Sequence, residues 1–476
     1  MAVDWQNYKK VMLPDIPNLH KIDVYSQNGG YEQIRKVLTA EEWKDTKKLI
    51  DYVKSANIRG RGGAGFNAGL KWSFMPPKKE GLPRYLACNG DESEPGTFKD
   101  RRLFEFNPHL FIEGVLIACY AMEMDAAYIY IRGEYNDYIK IMQVAVDEAY
   151  SKGYIGKNIM GTHFSTEIYL HRGAGAYICG EETSLMESLE GKRAYPRSKP
   201  PFPAQSGLWS KPTTINNIDT LACVTIAMRH GADWFAKTGA PDHPGPFLYG
   251  ISGHVNKPGV YEYPSGMLIT DMIYKVCGGV RNNRKIKAIV PGGVSVPPFR
   301  GDMLEGVTLN ANGLGLIGAM VGEEFHNLQS TIVQNILADP KQKGVFTAGF
   351  ALPGPNGKEI RKVHSFVGTA GMLVLDETTD MVKFLHRVTK FYHHESCGQC
   401  TPCREGCGWL EKLIGKFAHG EGGVKDFDLL LDLCDNMEGR TVCALADAAA
   451  WPVRNTILRF RPDFEARIKK TAMVTV

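Results

Sequence analysis

Cys397, Cys400, Cys403 and Cys407 fall within the short stretch Glu395-Ser-Cys-Gly-Gln-Cys-Thr-Pro-Cys-Arg-Glu-Gly-Cys407. A thiolate carries its charge on a soft sulfur, so a loop that turns back every three residues can aim several sulfurs at one soft metal centre. Structural zinc prefers separated pairs of ligands, whereas C-x₂-C-x₂-C is the run that wraps three corners of a [4Fe–4S] cubane. Two residues compete for the fourth corner. Cys407 completes C-x₂-C-x₂-C-x₃-C, but the last cysteine of that run serves the other cluster of two-cluster ferredoxins and is followed by proline. Here Gly408 follows, and no second set of three cysteines exists. Cys443 opens the alanine-rich segment that ends in Trp451-Pro and reads as a packed helix. Cys443 is the preferred ligand and Cys407 the runner-up. The alternative, free thiols or a disulfide, suits poorly so dense a set of sulfurs with no secretory signal before it.

Three glycine-rich stretches could hold a second, planar or phosphorylated group. Gly60-Arg-Gly-Gly-Ala-Gly-Phe66 nominally fits G-x-G-x-x-G, yet it follows a helix and not a strand, unlike an ordinary dinucleotide turn. Its glycines let backbone approach a ligand closely, and Arg59, Arg61 and Lys71 beside them suit a phosphate. Asn89-Gly-Asp-Glu-Ser-Glu-Pro-Gly96 is an acidic loop at a strand end, the usual place for ligand contacts in an open α/β sheet. Carboxylates repel phosphate, so Asp91, Glu92 and Glu94 would accept hydrogen bonds from hydroxyl or amide groups. Gly173-Ala-Gly-Ala-Tyr-Ile-Cys-Gly-Glu-Glu-Thr183 is a strand, glycine turn and helix start, a geometry that binds anions. Glu181 and Glu182 oppose a phosphate there and address sugar hydroxyls instead. Pro196-Arg-Ser-Lys-Pro-Pro-Phe-Pro203 is a stiff, extended wall carrying Lys199 and Phe202.

The elements that position these motifs follow from periodicity. Thr39 and Glu42 form a capping box for one helix running to Val53. Strands are predicted up to Asn89, over Ala126–Arg132 and over Ser165–His171, with helices over Tyr138–Lys152 and Thr183–Glu190. Pro241-Asp-His-Pro-Gly-Pro246 marks a boundary by composition. Beyond it a hairpin and a helix around Leu268–Val276 suggest a β-grasp module, then a glycine-rich stretch over 303–358 and a strand at Gly371–Asp376. From Thr379 onward the chain is helical around the cysteine loop.

At 476 residues the chain has room for about three domains. A net charge of +4, dispersed along the sequence, excludes nucleic-acid binding as a main task. The longest apolar stretch, Leu110–Met122, is interrupted by Glu113 and too short to span a bilayer, so no direct membrane insertion is expected. The start of the chain, with Asp4, has neither a secretory nor a transit pattern. A reducing, cytosol-like compartment is expected. Cys88, Cys119, Cys179, Cys223 and Cys277 read as small core residues.

Taken in order, the motifs resemble those of the NADH-binding flavoprotein subunit of respiratory complex I, a module similar to one in NAD-dependent hydrogenases and formate dehydrogenases. Pro200-Pro-Phe-Pro-Ala-Gln-Ser-Gly-Leu-Trp209 and Ile215-Asn-Asn-Ile-Asp219 add to the likeness. The resemblance implies FMN held by Gly60, Gly62, Gly63, Lys71, Asn89, Asp91, Glu92, Tyr177, Gly180, Asn216, Asn217 and Thr220. It implies NADH stacked on Phe66, Phe74 and Phe202, with Glu94, Glu182 and Lys199 at its nicotinamide or ribose end and Glu181 among the cofactor residues. It implies a [4Fe–4S] cluster on Cys397, Cys400, Cys403 and Cys443. The fold implied is an atypical Rossmann-like α/β FMN-binding domain with an N-terminal helical segment (1–240), a small ubiquitin-like β-grasp domain with an insertion at 303–358 (241–375), and an all-α helical bundle carrying the cluster (376–476). Two features depart from the family pattern: Cys407, and the length of the 303–358 stretch.

A hydride carries two electrons and an iron–sulfur cluster accepts one, so a chain binding both needs a converter, which flavin is. The expected activity is hydride transfer from NADH to FMN, then single-electron transfer to the cluster and on to quinone, as an NADH:quinone oxidoreductase. Expected partners are a thioredoxin-like [2Fe–2S] subunit and a large iron–sulfur subunit, in an assembly peripheral to the inner or plasma membrane on its cytoplasmic or matrix side. Two alternatives stand: the diaphorase subunit of a hydrogenase or formate dehydrogenase, and a non-enzymatic cluster-holding adaptor, which would lack the yellow flavin absorbance.

Overall fold

The computed structural model describes residues 4–314, 352–353, 359–360 and 365–468. Most of the 303–358 stretch lies outside them. The first sheet is built from β1 (Tyr85–Gly90), β2 (Ala126–Ile131), β3 (Glu167–Arg172) and β4 (Thr213–Asn217), in the order β3-β2-β1-β4 with every pair parallel. Parallel strands are covered on both faces and read as near-continuous apolar runs. Alternation within β1 shows this: Leu86 and Cys88 join the core under helices Pro108–Ala121 and Ile218–His230, while Ala87 joins the opposite core under helix Glu182–Leu189.

The helix Pro108–Ala121 is apolar all round because it is buried all round. Its one acid has a structural task. The fully buried Glu113 carboxylate accepts hydrogen bonds from Tyr31 N (3.0 Å), Gln33 N (2.9 Å), Ile34 N (3.2 Å) and the Tyr25 hydroxyl (2.5 Å). It thereby caps from a distance the helix Glu32–Thr39, whose own N-cap residue Tyr31 supplies no side-chain cap. Burial pushes the Glu113 carboxyl up, against these donors. Glu113→Ala leaves several buried donors without an acceptor, at about 1–3 kcal/mol each. We expect a loss of at least about 3 kcal/mol and a melting temperature lower by roughly 10 °C. Differential scanning calorimetry checks this, with Glu113→Gln falling between the two.

The capping box predicted at Thr39 is not formed. Thr39 ends the helix Glu32–Thr39, its hydroxyl bonding back to Arg35 O at 2.9 Å, and the next α-helix starts at Thr46 with Asp45 capping Lys47 N. Short-range hydroxyl-to-carbonyl bonding of this kind competes with capping. The other predicted elements around the sheet are present, with the helix Asn136–Ser151 following β2.

A second sheet comprises β5 (Pro246–Gly253), β6 (Gly259–Pro264), β7 (Ile286–Val290), β8 (Phe299–Arg300) and, after a separate pair β9 (Leu352–Pro353) and β10 (Glu359–Ile360), the strand β11 (Gly371–Asp376). Its order is β6-β5-β11-β7-β8, with β11 parallel to β5 and antiparallel to β7. Glu262 on β6 anchors the start of the chain by accepting from Val11 N, Met12 N and Leu13 N. Five helices from Met381 to Glu465 pack around one another and carry the cysteine loop. Among the described residues no helix is long and apolar enough to cross a membrane.

Candidate active site

A cavity of about 450 Å³ lies where the two sheets and the helical region meet. Its wall takes Gly62, Gly63, Asn89, Asp91, Glu92, Glu94, Tyr177, Gly180, Glu181 and Asn217 from the predicted set, and Cys443 from the cysteine set. It also takes Lys99, Asp100, Gly292, Ser295, Thr369 and Trp451, which sequence reasoning had not singled out.

The glycine loop is a turn closed by Gly60 N donating to Phe66 O at 2.8 Å, with Gly63 at φ +116 and Gly65 at φ +65. A β-carbon on Gly62 would lie 3.2 Å from Asn217 Cβ, so backbone alone forms this wall. Arg61, on the cavity wall, is held from below by the protein and keeps Nε and Nη1 without partners. It is 2 % exposed, donates to Pro244 O (2.8 Å) and Pro246 O (3.1 Å), and lies 3.5 Å over the Phe247 ring, fastening the loop to the second sheet. Thr220 holds the same loop, its hydroxyl accepting from Arg61 N at 2.9 Å. Asn216 accepts from buried Trp72 Nε1 at 2.8 Å. Neither Thr220 nor Asn216 is on the cavity wall, nor is Gly60.

In the acidic loop the three carboxylates have different tasks. Glu92 accepts from Asp100 N (2.7 Å) and the Tyr135 hydroxyl (2.8 Å), so its carboxylate caps the helix Asp100–Phe106. Glu94 accepts from the Tyr177 hydroxyl and from Ser295 N, both at 2.7 Å, and joins the two sheets. Burial pushes the Glu94 carboxyl up, against those two hydrogen bonds. Asp91 keeps one buried oxygen, Oδ2, without a partner, and burial pushes its carboxyl up to about 7. Beneath the loop, Asn89 is fixed by donating to Gly180 O (2.8 Å) and accepting from Asp91 N (3.1 Å). Asn217 donates to Asp100 Oδ2 (2.7 Å) and caps the helix Ile218–His230. Lys99, 2 % exposed, bridges Asp100 (2.7 Å) and Asp219 (2.8 Å). Burial lowers its pKa, but the two carboxylates prevail and raise it.

The helix start at the third glycine stretch, whose Glu181 and Glu182 are expected to address sugar hydroxyls, is capped by the protein itself. Glu181 caps its own helix, its Oε2 accepting from Thr183 N (2.8 Å) and Ser184 N (2.9 Å). Glu182 pairs with Lys71 (2.7 Å) and Lys199 (2.5 Å) outside the cavity wall. Burial raises the Glu182 carboxyl, yet the two ammonium groups prevail and pull it down to about 2. Around this ion cluster Phe66, Phe74 and Phe202 are 46 %, 56 % and 55 % exposed, with Phe66 and Phe74 centroids 6.1 Å apart. The segment predicted to be extended contains cis bonds at Lys199-Pro200 and Pro200-Pro201.

The cysteine loop turns at Gly398, φ +80, and feeds the helix Thr401–His419, so Cys400 sits at its N-cap and Cys403 in its first turn. The positive end of a helix favours thiolates there. Cys443 comes to the same place from the segment before the helix Leu445–Arg459: Val442 N donates to Cys400 Sγ at 3.4 Å, and Cys397, Cys400 and Cys443 all pack against the core that contains Cys403. Burial pushes the Cys443 thiol up to about 12, with the Cys403 and Cys397 sulfurs adding to it. Among the described residues no three His, Cys, Asp or Glu side chains close on a single-ion site. A cubane is instead ligated at separate corners. Cys407 faces the helical core and is 1 % exposed. Glu395, just before the loop, accepts from Tyr177 N at 3.1 Å and ties the cysteine loop to the cavity.

The residues present fit a flavin and a cluster. Asp91 Oδ2 is an orphaned acceptor at a wall where Gly62, Gly63 and Gly180 project no side chain, and about 450 Å³ suits a cofactor. Residues 53–226 match the Nuo51 FMN-binding domain, 248–299 the SLBB domain, and 383–467 the NADH-ubiquinone oxidoreductase-F iron-sulfur binding region. The second F-type subunit of NADH-quinone oxidoreductase from Rhizobium meliloti is 44% identical, over 96% of this chain and 96% of its own. The F-type subunit of the same oxidoreductase from Rickettsia typhi is 46% identical, over 90% and 92%. Among solved structures, an NAD+-reducing [NiFe]-hydrogenase in the H2-reduced state matches with a TM-score of 0.70 and 31% identity, covering 90% of this chain and 64% of that one. With cysteine loop, glycine cradle and sheet in this arrangement, the chain belongs to the family of NADH-quinone oxidoreductase F-type subunits.

Proposed function

We propose that the protein is the electron-input subunit of an NADH:quinone oxidoreductase, taking reducing equivalents from NADH through FMN to a [4Fe–4S] cluster. The observation that carries this reading is that Cys443 lines the same cavity as Gly62 and Asp91. FMN, when bound, supplies the conversion between a two-electron hydride donor and a one-electron acceptor. The chain's own residues orient and shield. Gly62, Gly63 and Gly180 leave room for a planar group, and Asp91 offers it a buried acceptor. Asn89 and Asn217 hold that wall in register. Exposed Phe66, Phe74 and Phe202 give a dinucleotide faces on which to stack, and Lys71, Glu182 and Lys199 give it polar groups. Glu94 is fixed from two sides on the wall. Cys397, Cys400, Cys403 and Cys443 would hold the cluster. No side chain needs to act as a general acid or base; positioning suffices.

Division of the chain at 240 and 375 follows this reading, and the order β6-β5-β11-β7-β8 with β11 parallel to β5 supports a β-grasp assignment for the middle part. A cluster with no further acceptor among the described residues calls for partners, for which a thioredoxin-like [2Fe–2S] subunit and a large iron–sulfur subunit are proposed. The assembly would be peripheral to a membrane on its cytoplasmic or matrix side.

The test is NADH-dependent reduction of ferricyanide by the purified protein. Glu94→Gln is expected to raise the KM for NADH about tenfold, roughly 1.4 kcal/mol, with flavin per chain unchanged. Loss of flavin in that variant would contradict the assignment. Likeness to the NAD+-reducing hydrogenase supports a second reading, the diaphorase subunit of such an enzyme. Copurification with a nickel-containing subunit would select it.

A further inference from the structure

Cys403 differs from the other sulfurs of the loop in having two side-chain hydrogen-bonding neighbours. Ser396 Oγ lies 3.2 Å from its sulfur and Cys407 Sγ lies 4.0 Å from it. Cys400 receives a backbone N–H from Val442 instead. Cys407 stands four residues beyond Cys403 on the same helix, and side chains at that spacing share a face, the later one leaning back toward the earlier. Around it lie Leu410 and Ile414 on the same helix, with Tyr392 and Cys443 in the same packed region, so it lies beside Cys403 and away from solvent. Either sulfur could donate between two free thiols. Once Cys403 is a metal-bound thiolate it has no proton to give, and Cys407 S–H must be the donor.

We propose, on the ligand set given above, that Cys407 is a positioning residue that donates a hydrogen bond to the Cys403 thiolate and, with Ser396, raises the reduction potential of the cluster. A donor to a ligating sulfur stabilises the more negative, reduced state more than the oxidised one, and hydrogen bonds to sulfur are among the determinants of cluster potential. Cys407 thereby makes the cluster a better acceptor of the single electrons that reach it.

The experiment is a redox titration of the holoprotein followed by electron paramagnetic resonance, with iron counted per chain, on Cys407→Ala, Cys407→Ser, Ser396→Ala and Cys443→Ala. Cys407→Ala and Ser396→Ala are each expected to keep four irons and to move the midpoint to more negative values. The shift should approach a tenfold change in the reduced-to-oxidised ratio, about 59 mV for one electron. Cys407→Ser, which restores a donor, is expected to stay near the parent. A full iron complement with an unmoved midpoint in Cys407→Ala overturns the proposal and leaves the ligand set standing. Iron lost from Cys407→Ala but kept in Cys443→Ala overturns both, because Cys407 would then be the fourth ligand.

Discussion

Cys443→Ala is expected to yield a yellow, folded protein that has lost its cluster. Cys443 stands before the helix Leu445–Arg459 and is half-buried, so removing its sulfur leaves the helix Leu445–Arg459, and Ala446, Ala449 and Val453 within it, packed as before. A cubane with one corner open is far less stable. Losing a partner of a ligand already costs about 10–100-fold in metal affinity, and losing the ligand itself costs more. Iron per chain should fall from four to near zero after gel filtration while flavin per chain stays at one. Ferricyanide, which can take electrons from the flavin, should still be reduced by NADH, whereas quinone reduction in the assembled enzyme should drop by at least about a hundredfold. Four irons retained in Cys443→Ala would refute the ligand set.

Gly62→Val should produce the opposite phenotype, iron without flavin. The first added carbon already sits 3.2 Å from Asn217 Cβ. Asn217 cannot step aside, because its amide holds Asp100 at 2.7 Å and its carbonyl oxygen caps the helix Ile218–His230. The two γ carbons of valine must therefore enter the cavity. Overpacking of a well-filled site costs about 1–3 kcal/mol, which lowers flavin affinity about ten- to hundredfold. Fluorescence titration of the apoprotein with FMN measures this directly. Wild-type affinity in Gly62→Val would remove the glycine loop from the flavin site.

Much of the site could be read from the chain alone because its parts are local. C-x₂-C-x₂-C fixes three sulfurs within seven residues, and the ends of β1 and β4 bring Asn89 and Asn217 side by side in parallel register. What the sequence concealed depends on contacts distant in the chain. Arg61 stands among glycines, where a phosphate role is natural, yet its partners are the carbonyls of Pro244 and Pro246. Glu92 and Glu181 look like ligand carboxylates, but each satisfies the start of a helix. Nothing local distinguishes Lys99, Asp100 and Asp219 from surface charges. Only folding buries them together at the cavity. Ser295 and Trp451 reach the wall from the second sheet and the helical region, whose approach no periodicity encodes.

The hollow's wall runs from Arg61 near the beginning of the described chain to Trp451 near its end. Contacts so widely separated form late, since the entropy of closing long loops must be met before they become favourable. A nascent polypeptide leaving the ribosome thus holds an unfinished mould until its final helices arrive. A chain cut short before those helices, lacking Cys443 and Trp451 from the wall, is expected to hold its coenzyme less tightly.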